Sequence, residues 1–194
     1  MLHSIQLSHE AVRLRPLSSQ DAPSLRSIVD VEMWAGNQAP LPPDDRAMSE
    51  HLDAMIQSPT VLGFAVELEG RLVGRTTLYD IVPNLRCEIG STIYAREVWG
   101  GVVNPTAKLL LLAHAFEELG MHRVALRCDS RNTRSHRAIA RLGARYEGTL
   151  RGFRPAADGT ICDVDYFSVL RHEWPAVRDG LLRRVGADPD FRTA

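Results

Sequence analysis

The order of strand-like and helix-like segments is the feature of this sequence that most restricts its fold. Apolar residues recur at helical spacing over residues 105–119, and Gly120 follows as a stop signal. Strand-like runs at 86–94 and 123–128 stand on either side of this helix. Neighbouring strands that are joined through a crossover helix lie parallel to each other. The sequence therefore predicts one strand–helix–strand crossover near its centre.

Two predicted hairpins surround this crossover. Residues 61–68 and 71–79 flank a Glu-Gly turn, and residues 145–154 and 161–170 form a second strand pair. The remaining predicted elements are a strand at 11–15, helices at about 22–32, 44–56, 133–142 and 173–185, and a proline-rich loop at 34–43. We therefore predict an α/β (α+β) fold with a mixed, mostly antiparallel sheet of about seven strands and about five helices.

Length and composition fit one domain over residues 1–194, with flexible ends at 1–10 and 186–194. An apolar content of 44% with a net charge of −1 excludes a disordered chain. No apolar run approaches the roughly 18 residues of a membrane helix, so we expect no membrane association and a cytoplasmic location. Three scattered cysteines predict neither a disulfide framework nor a metal site; they are Cys87, Cys128 and Cys162.

Positive charge is concentrated in one part of the chain. Residues 123–154 contain nine arginines against Asp129 and Glu147, a local charge of +7. Such a patch favours a phosphorylated ligand or a nucleic acid, and a solvated arginine-rich face is the alternative. Only Tyr146 and Phe153 would offer rings for base stacking, so nucleic acid is not the expected partner. Lys108 is the single lysine of the chain.

The stretch I-Y-A-R-E-V-W-G-G-V-V-N-P-T-A-K at 93–108 leads from a strand through two glycines into a helix. Free backbone amides at a helix start can bind phosphate. Asn104 suits the N-cap and Pro105 the first helical position. The pattern G-x-x-x-x-G-K-[ST] is absent, so the stretch is not a P-loop. A purely steric role of the glycines remains the alternative.

Several motifs together resemble one family. They are W-G-x-x-x-N-x-x-A-K from Trp99, H-R-V-x-L from His122, N-x-x-S-x-R-A-I-x-R-L-G-A from Asn132, and E-G-T-L-R from Glu147. The opening V-R-L-R-P-L-S-S-Q-D-A, the E-I-G at 88–90 and the closing D-Y-F-S-V-L-R-H-E-W belong to the same pattern. Over about residues 11–175 the chain resembles the RimJ/RimL branch of the GNAT N-acetyltransferase superfamily.

The resemblance implies a splayed sheet whose parallel fourth and fifth strands open into a V that holds acetyl-CoA. The pantetheine would pair with the fourth strand at Ile93 and Tyr94. The resemblance also implies a homodimer. The positions that it assigns to the pyrophosphate are Trp99, Gly100, Gly101, Val102, Val103, Asn104 and Thr106. Asn132, Ser135 and Arg137 would line the cofactor.

Acetyl transfer to an amine requires that the amine be neutral. A lysine-like amine costs roughly 4.6 kcal/mol to neutralise at pH 7 and an α-amine only about 1 kcal/mol, so an α-amine needs little help from a base. Glu88 and Asp163 are the candidate bases, and either carboxylate has the alternative of pairing with a nearby arginine. Ser135 is the candidate acid implied by the resemblance, because Ile139 stands where the wider superfamily often has tyrosine. A helix-start hydrogen bond is its alternative role.

Other side chains have weaker signals. Trp34 in the proline-rich loop is a candidate for the acceptor pocket, together with Glu88, and plain packing is the alternative for Trp34. Histidines such as His114 and His136 have no evident carboxylate partner, so we expect structural roles for them.

These observations predict an acetyl-CoA-dependent N-acetyltransferase, without a metal, that acts on a protein N-terminal amine or a small-molecule amine. The acidic residues within 44–53 are compatible with a cationic acceptor. The alternative is a GNAT-fold binding or regulatory protein without catalysis. Three departures from the family pattern favour that alternative: Val102 at a usual glycine position, Pro105 without an amide, and Ile139.

Overall fold

The protein is built on one mixed sheet in the computed structural model, which describes residues 2–188 and Phe191. The strands are β1 (Leu7–His9), β2 (Val12–Pro16), β3 (Leu62–Leu68), β4 (Arg71–Val82), β5 (Arg86–Tyr94), β6 (Arg123–Asp129), β7 (Arg145–Pro155) and β8 (Ile161–Leu170). Their order in the sheet is β1-β2-β3-β4-β5-β6-β8-β7. Within the described residues every neighbouring pair is antiparallel except β5 and β6, which are parallel. The predicted mixed sheet with a central crossover is confirmed.

Six helices accompany the sheet. They are α1 (Ala22–Ile28), α2 (Val31–Trp34), α3 (Asp45–Gln57), α4 (Val103–Ala113), α5 (Thr133–Ala140) and α6 (Trp174–Val185). The single helix predicted at 22–32 is two helices, because Val29 is extended and the Asp30 carboxylate accepts a hydrogen bond from Met33 N as a new N-cap. None of the helices in the described part of the chain is long and apolar enough to cross a membrane.

The sheet has eight strands rather than the predicted seven, because the segment 1–10 contains an edge strand. β1 has only three residues, too short for an alternating pattern to be recognised, and it pairs with β2 and buries Leu7. At the other end Gly186 stops α6 in a left-handed conformation, and the Phe191 ring packs against His9. Most of the remaining predicted flexible end lies outside the described residues.

The two faces of the sheet carry different helices. α4 and α6 pack against one face with side chains such as Phe64 and Val66, and α1 and α3 pack against the other with Ala65. The helical spacing of apolar residues predicts that α4 is amphipathic, but α4 is buried on nearly every side. It lies between the sheet and α6.

The helix predicted at 105–119 begins two residues earlier and changes character before its end. Val102, not Asn104, is the N-cap of α4, which puts Pro105 at the third helical position. Proline is tolerated there because first-turn amides have no partner within the helix. After Ala113 the chain continues as a π-helical turn over His114–Glu118.

A β-bulge in β5 determines where the sheet opens. Thr76 on β4 stands opposite two β5 residues, Ser91 and Thr92, and Ser91 has a φ of 48°. Among the described residues β5 and β6 pair only over 86–89 and 123–126, although the strands continue to Tyr94 and Asp129. The two parallel strands therefore separate immediately beyond their paired segment, which leaves a gap in the sheet.

Gly74 allows β4 and β5 to remain paired beyond the bulge, and its replacement tests this arrangement. A Cβ at Gly74 would lie 2.2 Å from the Ile93 carbonyl oxygen and 2.7 Å from Tyr94 Cδ1. We predict that Gly74→Ala lowers the free energy of unfolding by about 3 kcal/mol, because the backbone of β5 has to move. Urea denaturation at pH 7 is the measurement.

Gly180 in α6 provides the matched control, since a Cβ there meets no atom within 4 Å. Gly180→Ala is expected to leave stability unchanged or to raise it by up to about 1 kcal/mol through helix propensity. A Gly74→Ala variant as stable as the wild type would contradict the close approach of the two strands.

Candidate functional site

A cavity of about 450 Å³ opens where β5 and β6 separate. Its lining includes the turn after β5, the starts of α4 and α5, the segment 33–38, part of β4 and Arg154 of β7. Cys128 and Leu126 of β6 contribute between them. The cavity thus occupies the position that the resemblance assigns to acetyl-CoA.

The turn between β5 and α4 presents backbone amides at the cavity. Gly100 has a φ of 75°, which favours glycine, whereas Val102 has an ordinary right-handed conformation with a φ of −74°. Valine is therefore accommodated without strain at the position where relatives have glycine. Val103 and Asn104 are the first two residues of α4, so their amides have no partner within the helix. The Trp99 indole fixes the turn by donating to the Tyr94 carbonyl at 2.7 Å.

Most residues predicted to contact the cofactor are brought together here. Those that line the cavity are Ile93, Tyr94, Trp99, Gly100, Asn104, Asn132 and Ser135. The same turn also contains three predicted residues that do not line the cavity: Gly101, Val102 and Val103. Two further predicted positions, Thr106 and Arg137, lie outside both this turn and the cavity wall. The Thr106 amide donates to the Val102 carbonyl and its side chain is buried, and Arg137 is exposed beside a separate shallow depression.

The start of α5 forms the edge of the cavity nearest β6. The Asn132 side chain caps the helix by accepting a hydrogen bond from Ser135 N at 2.9 Å. The Ser135 side chain lines the cavity, as does Cys128. The Ser135 amide therefore takes part in the helix cap, and the acid role of its hydroxyl stays a prediction.

A His–Asp pair next to this edge was missed by sequence reasoning. His136 Nδ1 lies 2.8 Å from Asp165 Oδ2, and Thr149 donates to the other carboxylate oxygen at 2.6 Å. Asp165 is buried on β8, 29 residues further along the chain, so spacing alone gave no signal of this pairing. One ligand atom from each of Cys128, His136 and Asp165 lies within 4.8 Å of the others.

Glu88, a candidate base, lies behind the cavity wall in an ion pair. Its Oε1 is 2.7 Å from Arg127 Nε and also accepts a hydrogen bond from the Tyr79 hydroxyl. Burial raises the pKa of Glu88, and the Arg127 charge opposes that shift. Arg127 also donates to the Tyr166 hydroxyl at 2.7 Å, and the Phe153 ring covers it. Tyr79 and Arg127 thus line the cavity, and Glu88 contacts both of them from behind the wall.

Two other candidates lie away from the cavity. Asp163 is exposed on the β7–β8 hairpin, where its carboxylate accepts a hydrogen bond from Gly152 N at 2.8 Å. Because alternate strand residues point to opposite faces, Asp165 and not Asp163 is buried. Trp34 is 1% exposed and donates to the Ala39 carbonyl, so it packs in the core rather than forming the acceptor wall.

Lys108 is the second functional candidate that sequence reasoning did not identify. Its ammonium group donates to Thr92 Oγ1 at 2.8 Å, directly at the bulge, and its side chain reaches the cavity. Burial lowers the pKa of Lys108 to about 7. Two signals were available in the sequence. Lys108 ends the motif W-G-x-x-x-N-x-x-A-K, and it lies one helical turn after Asn104, on the same side of α4.

The charged groups that line the cavity are mostly positive. They are Lys108, Arg127, Arg134 and Arg154, against Asp129 alone, which pairs with Arg131 at 2.7 Å. The expected acidic contribution from the segment 44–53 is not found in the wall: Asp44 caps α3 and Glu50 pairs with Arg46. The site therefore offers an anionic ligand more complementary charge than a cationic one.

Removal of the Arg127 charge tests the buried ion pair. Arg127→Met leaves Glu88 without its cationic partner, and we predict a loss of about 3–5 kcal/mol in the free energy of unfolding at pH 7. The double variant Glu88→Gln/Arg127→Met should recover most of this loss, because no carboxylate is then left unpaired. Urea titrations of the four proteins form a double-mutant cycle, and a loss below about 1 kcal/mol for Arg127→Met would contradict the pairing.

The protonation of Lys108 tests the second buried charge. The pKa of Lys108 is about 7 in the folded protein and 10.5 in the unfolded chain, so between these pH values the unfolded chain binds more protons at Lys108. The burial of the Lys108 charge therefore destabilises the protein fully below pH 7. This destabilisation fades as the pH rises towards 10.5. We predict that Lys108→Met stabilises the protein most at pH 6, by at most about 5 kcal/mol, and progressively less towards pH 10. Melting temperatures of both proteins across this range give the difference, and a gain independent of pH would contradict it.

Comparison with known proteins agrees with this geometry. Residues 11–145 match the acetyltransferase (GNAT) domain family. The "Putative ribosomal N-acetyltransferase YdaF" of Bacillus subtilis (strain 168) is 34% identical over 107 residues, which are 55% of this chain and 57% of YdaF. The match thus spans little more than half the length of that relative.

Solved structures are similar over more of the chain. A "putative acetyltransferase" from T. thermophilus is 34% identical with a TM-score of 0.88, covering 95% of this chain and 99% of its own. Mycobacterium smegmatis RimJ, in complex with CoA-disulfide, has 24% identity and a TM-score of 0.75 over 94% of this chain and 93% of RimJ. RimL, a ribosomal L7/L12 α-N-protein acetyltransferase in complex with coenzyme A, has 17% identity and a TM-score of 0.73 over 87% and 99%. The last two show the shared fold, and with the matched family they confirm the predicted resemblance: the chain belongs to the GNAT acetyltransferase family.

Proposed function

We propose that the protein is an acetyl-CoA-dependent N-acetyltransferase in which a primary amine attacks the thioester directly. The observation that carries this proposal is the cavity between the separated strands β5 and β6, which is lined by Asn104 in the first turn of α4, where the amides of Val103 and Asn104 have no partner within the helix. Acetyl-CoA supplies the activated acetyl group. The residues of this chain bind it, orient it and handle the protons.

The wall formed by α4 and α5 is the proposed cofactor side. The first-turn amides of α4 and the Arg134 guanidinium, which stacks 3.5 Å above the Trp99 ring, would receive the pyrophosphate. Pro105 supplies no amide, so we expect two free first-turn amides and not three. The edge of β5 beyond the bulge would pair with the pantetheine, because β6 no longer occupies that edge.

The segment 33–38, β4 and β7 form the proposed acceptor side. A neutral amine there would lose its proton to the Tyr79 hydroxyl as that hydroxyl passes its own proton to Glu88, whose pKa burial raises. At the start of α5 the Ser135 hydroxyl would protonate the leaving thiolate and recover its own proton from solvent, while Glu88 releases the proton taken from the amine to solvent. The oxyanion would lie near the bulge, where the Lys108 ammonium group is held by Thr92.

A protein N-terminal α-amine is the acceptor class that we propose, since it needs little deprotonation and since the relative YdaF carries the name "Putative ribosomal N-acetyltransferase". A small-molecule amine is the alternative. We also propose that the chain acts as one cytoplasmic domain and forms a homodimer. The exposed edge strand β7, with Leu150 at 45% and Phe153 at 42% exposure, supports a partner surface on this side.

A turnover assay tests the function and the proton-transfer residues together. Thiol release from acetyl-CoA with an N-terminally free peptide should be measurable for the wild type. We predict that Glu88→Gln and Ser135→Ala each lower kcat/KM about 100-fold, and that Glu88→Gln also removes the fall in rate on the acidic side of the pH profile. Asp163→Asn is the matched control and should stay within about threefold, because Asp163 lies outside the cavity.

Binding of acetyl-CoA without thiol release for any amine would contradict the proposal. It would favour the alternative of a GNAT-fold binding or regulatory protein, for which Ile139 and Pro105 remain the supporting features.

A further inference from the structure

Arg75 on β4 is a fully buried cation behind the acceptor wall. It is 1% exposed, and its guanidinium donates to the Ser91 carbonyl at 3.2 Å and to Asn37 Oδ1 at 3.3 Å. Its pKa is lowered to about 10 by burial, so it stays charged at neutral pH. The Trp34 ring lies 5.2 Å from the guanidinium and supplies a cation–π contact.

Arg154 on β7 lies on the open side of the same segment. Its Nη2 donates to the Gly36 carbonyl at 2.9 Å, and its Nη1 donates to the carbonyls of Asn37 at 3.3 Å and Pro155 at 3.0 Å. An arginine has five N–H donors, so one on Nε and one on Nη2 are left. These two belong to neighbouring nitrogens of the guanidinium fork, the arrangement that binds both oxygens of a carboxylate.

Asn37 is thus held between two guanidinium groups, by its side-chain oxygen and by its carbonyl. Within the described residues no carboxylate lies within 4.0 Å of either Arg75 or Arg154. His51 adjoins the Trp34 ring, and burial with the nearby Arg75 charge lowers its pKa to about 4, so it adds no charge at pH 7. Two positive charges therefore remain uncompensated at this wall.

The buried Arg75 charge has no counter-charge, which is unfavourable for folding, and the half-buried Arg154 keeps two unused donors at the cavity. A ligand with a negative charge would complete both. The proposed pyrophosphate contacts are the first turn of α4 and Arg134, and neither Arg75 nor Arg154 is among them. The 3′-phosphate of CoA and an anionic acceptor are the two remaining ligands, and the hydrogen bonds of Arg154 to the segment 33–38 of the proposed acceptor side favour the acceptor.

We propose that the acceptor carries a carboxylate close to its reacting amine, and that Arg154 binds this carboxylate at the wall while Arg75 stabilises it through its field. This inference rests on the proposed function, because that proposal defines which side of the cavity receives the acceptor. The carboxylate has two possible sources: the acidic side chain of a peptide N-terminus, or the α-carboxylate of a free amino acid.

Calorimetric binding to the CoA-saturated protein tests the inference without requiring turnover. The probes are the amidated peptides Ser-Glu-Ala-Ala and Ser-Gln-Ala-Ala, and free serine against serinamide. We expect at least tenfold tighter binding of one carboxylate-bearing probe than of its neutral partner. The pair that shows the difference identifies the source of the carboxylate.

Arg154→Met should reduce that preference to within twofold, and Arg154→Lys should retain part of it. Arg151→Met, an exposed arginine on the same strand, is the matched control and should keep the full preference. The affinity for acetyl-CoA should remain within threefold in all three variants.

Equal binding of the members of both pairs, or no binding of any probe, would overturn the inference. So would a tenfold loss of acetyl-CoA affinity in Arg154→Met with the preference intact, because Arg154 would then belong to the cofactor. A carboxylate preference without any thiol release would support the inference and contradict the proposed function instead.

Discussion

The bulge at Ser91 and Thr92 is the constraint on which the rest of the site depends. It inserts one extra residue into β5, and beyond it β5 and β6 no longer pair. Two cations hold the bulge: Arg75 donates to the Ser91 carbonyl, and Lys108 donates to the Thr92 hydroxyl, which also lies 2.8 Å from Thr76 Oγ1. Because both side chains are buried, water cannot replace their hydrogen bonds to the bulge without disturbing the core. The opening of the sheet is therefore a fixed property of the fold.

The charges around this opening explain why it suits anionic ligands. Lys108 and Arg75 are buried without a carboxylate partner among the described residues, which disfavours folding, whereas Glu88 and Arg127 neutralise each other. The net positive potential is thus concentrated at the bulge and along the two walls. This distribution gives a physical cause for the arginine-rich segment 123–154, since Arg134 and Arg154 both line the cavity while Arg123 and Arg131 pair with carboxylates.

Much of the fold could be predicted from local pattern. The crossover, both hairpins and the glycine turn depend on residues close in sequence, and they are found where predicted. The strand β1 was not predicted, because three residues are too few to show an alternating pattern. The predicted helix at 22–32 was not divided into two, because nothing in the sequence distinguishes Asp30, which caps α2, from a polar residue inside a helix.

The site was predictable where it depends on local turns and not where it depends on strand register. Trp99, Gly100 and Asn104 follow from the turn itself. The His136–Asp165 pair and the Glu88–Arg127 pair join residues 29 and 39 positions apart, through β8 and β6. Asp163 was a candidate base beside Glu88, although Asp165, two residues later, is the carboxylate that is buried, because the sequence does not tell which face of β8 is covered.

The central claim is that the gap beyond the bulge, with the free amides at its mouth, is an acetyl-CoA site. Calorimetric titration of acetyl-CoA into the wild-type protein tests it most directly, with desulfo-CoA and ADP as controls. The account predicts micromolar binding of acetyl-CoA and of desulfo-CoA, and weaker binding of ADP, which lacks the pantetheine that pairs with β5. No binding of acetyl-CoA up to millimolar concentration would contradict it.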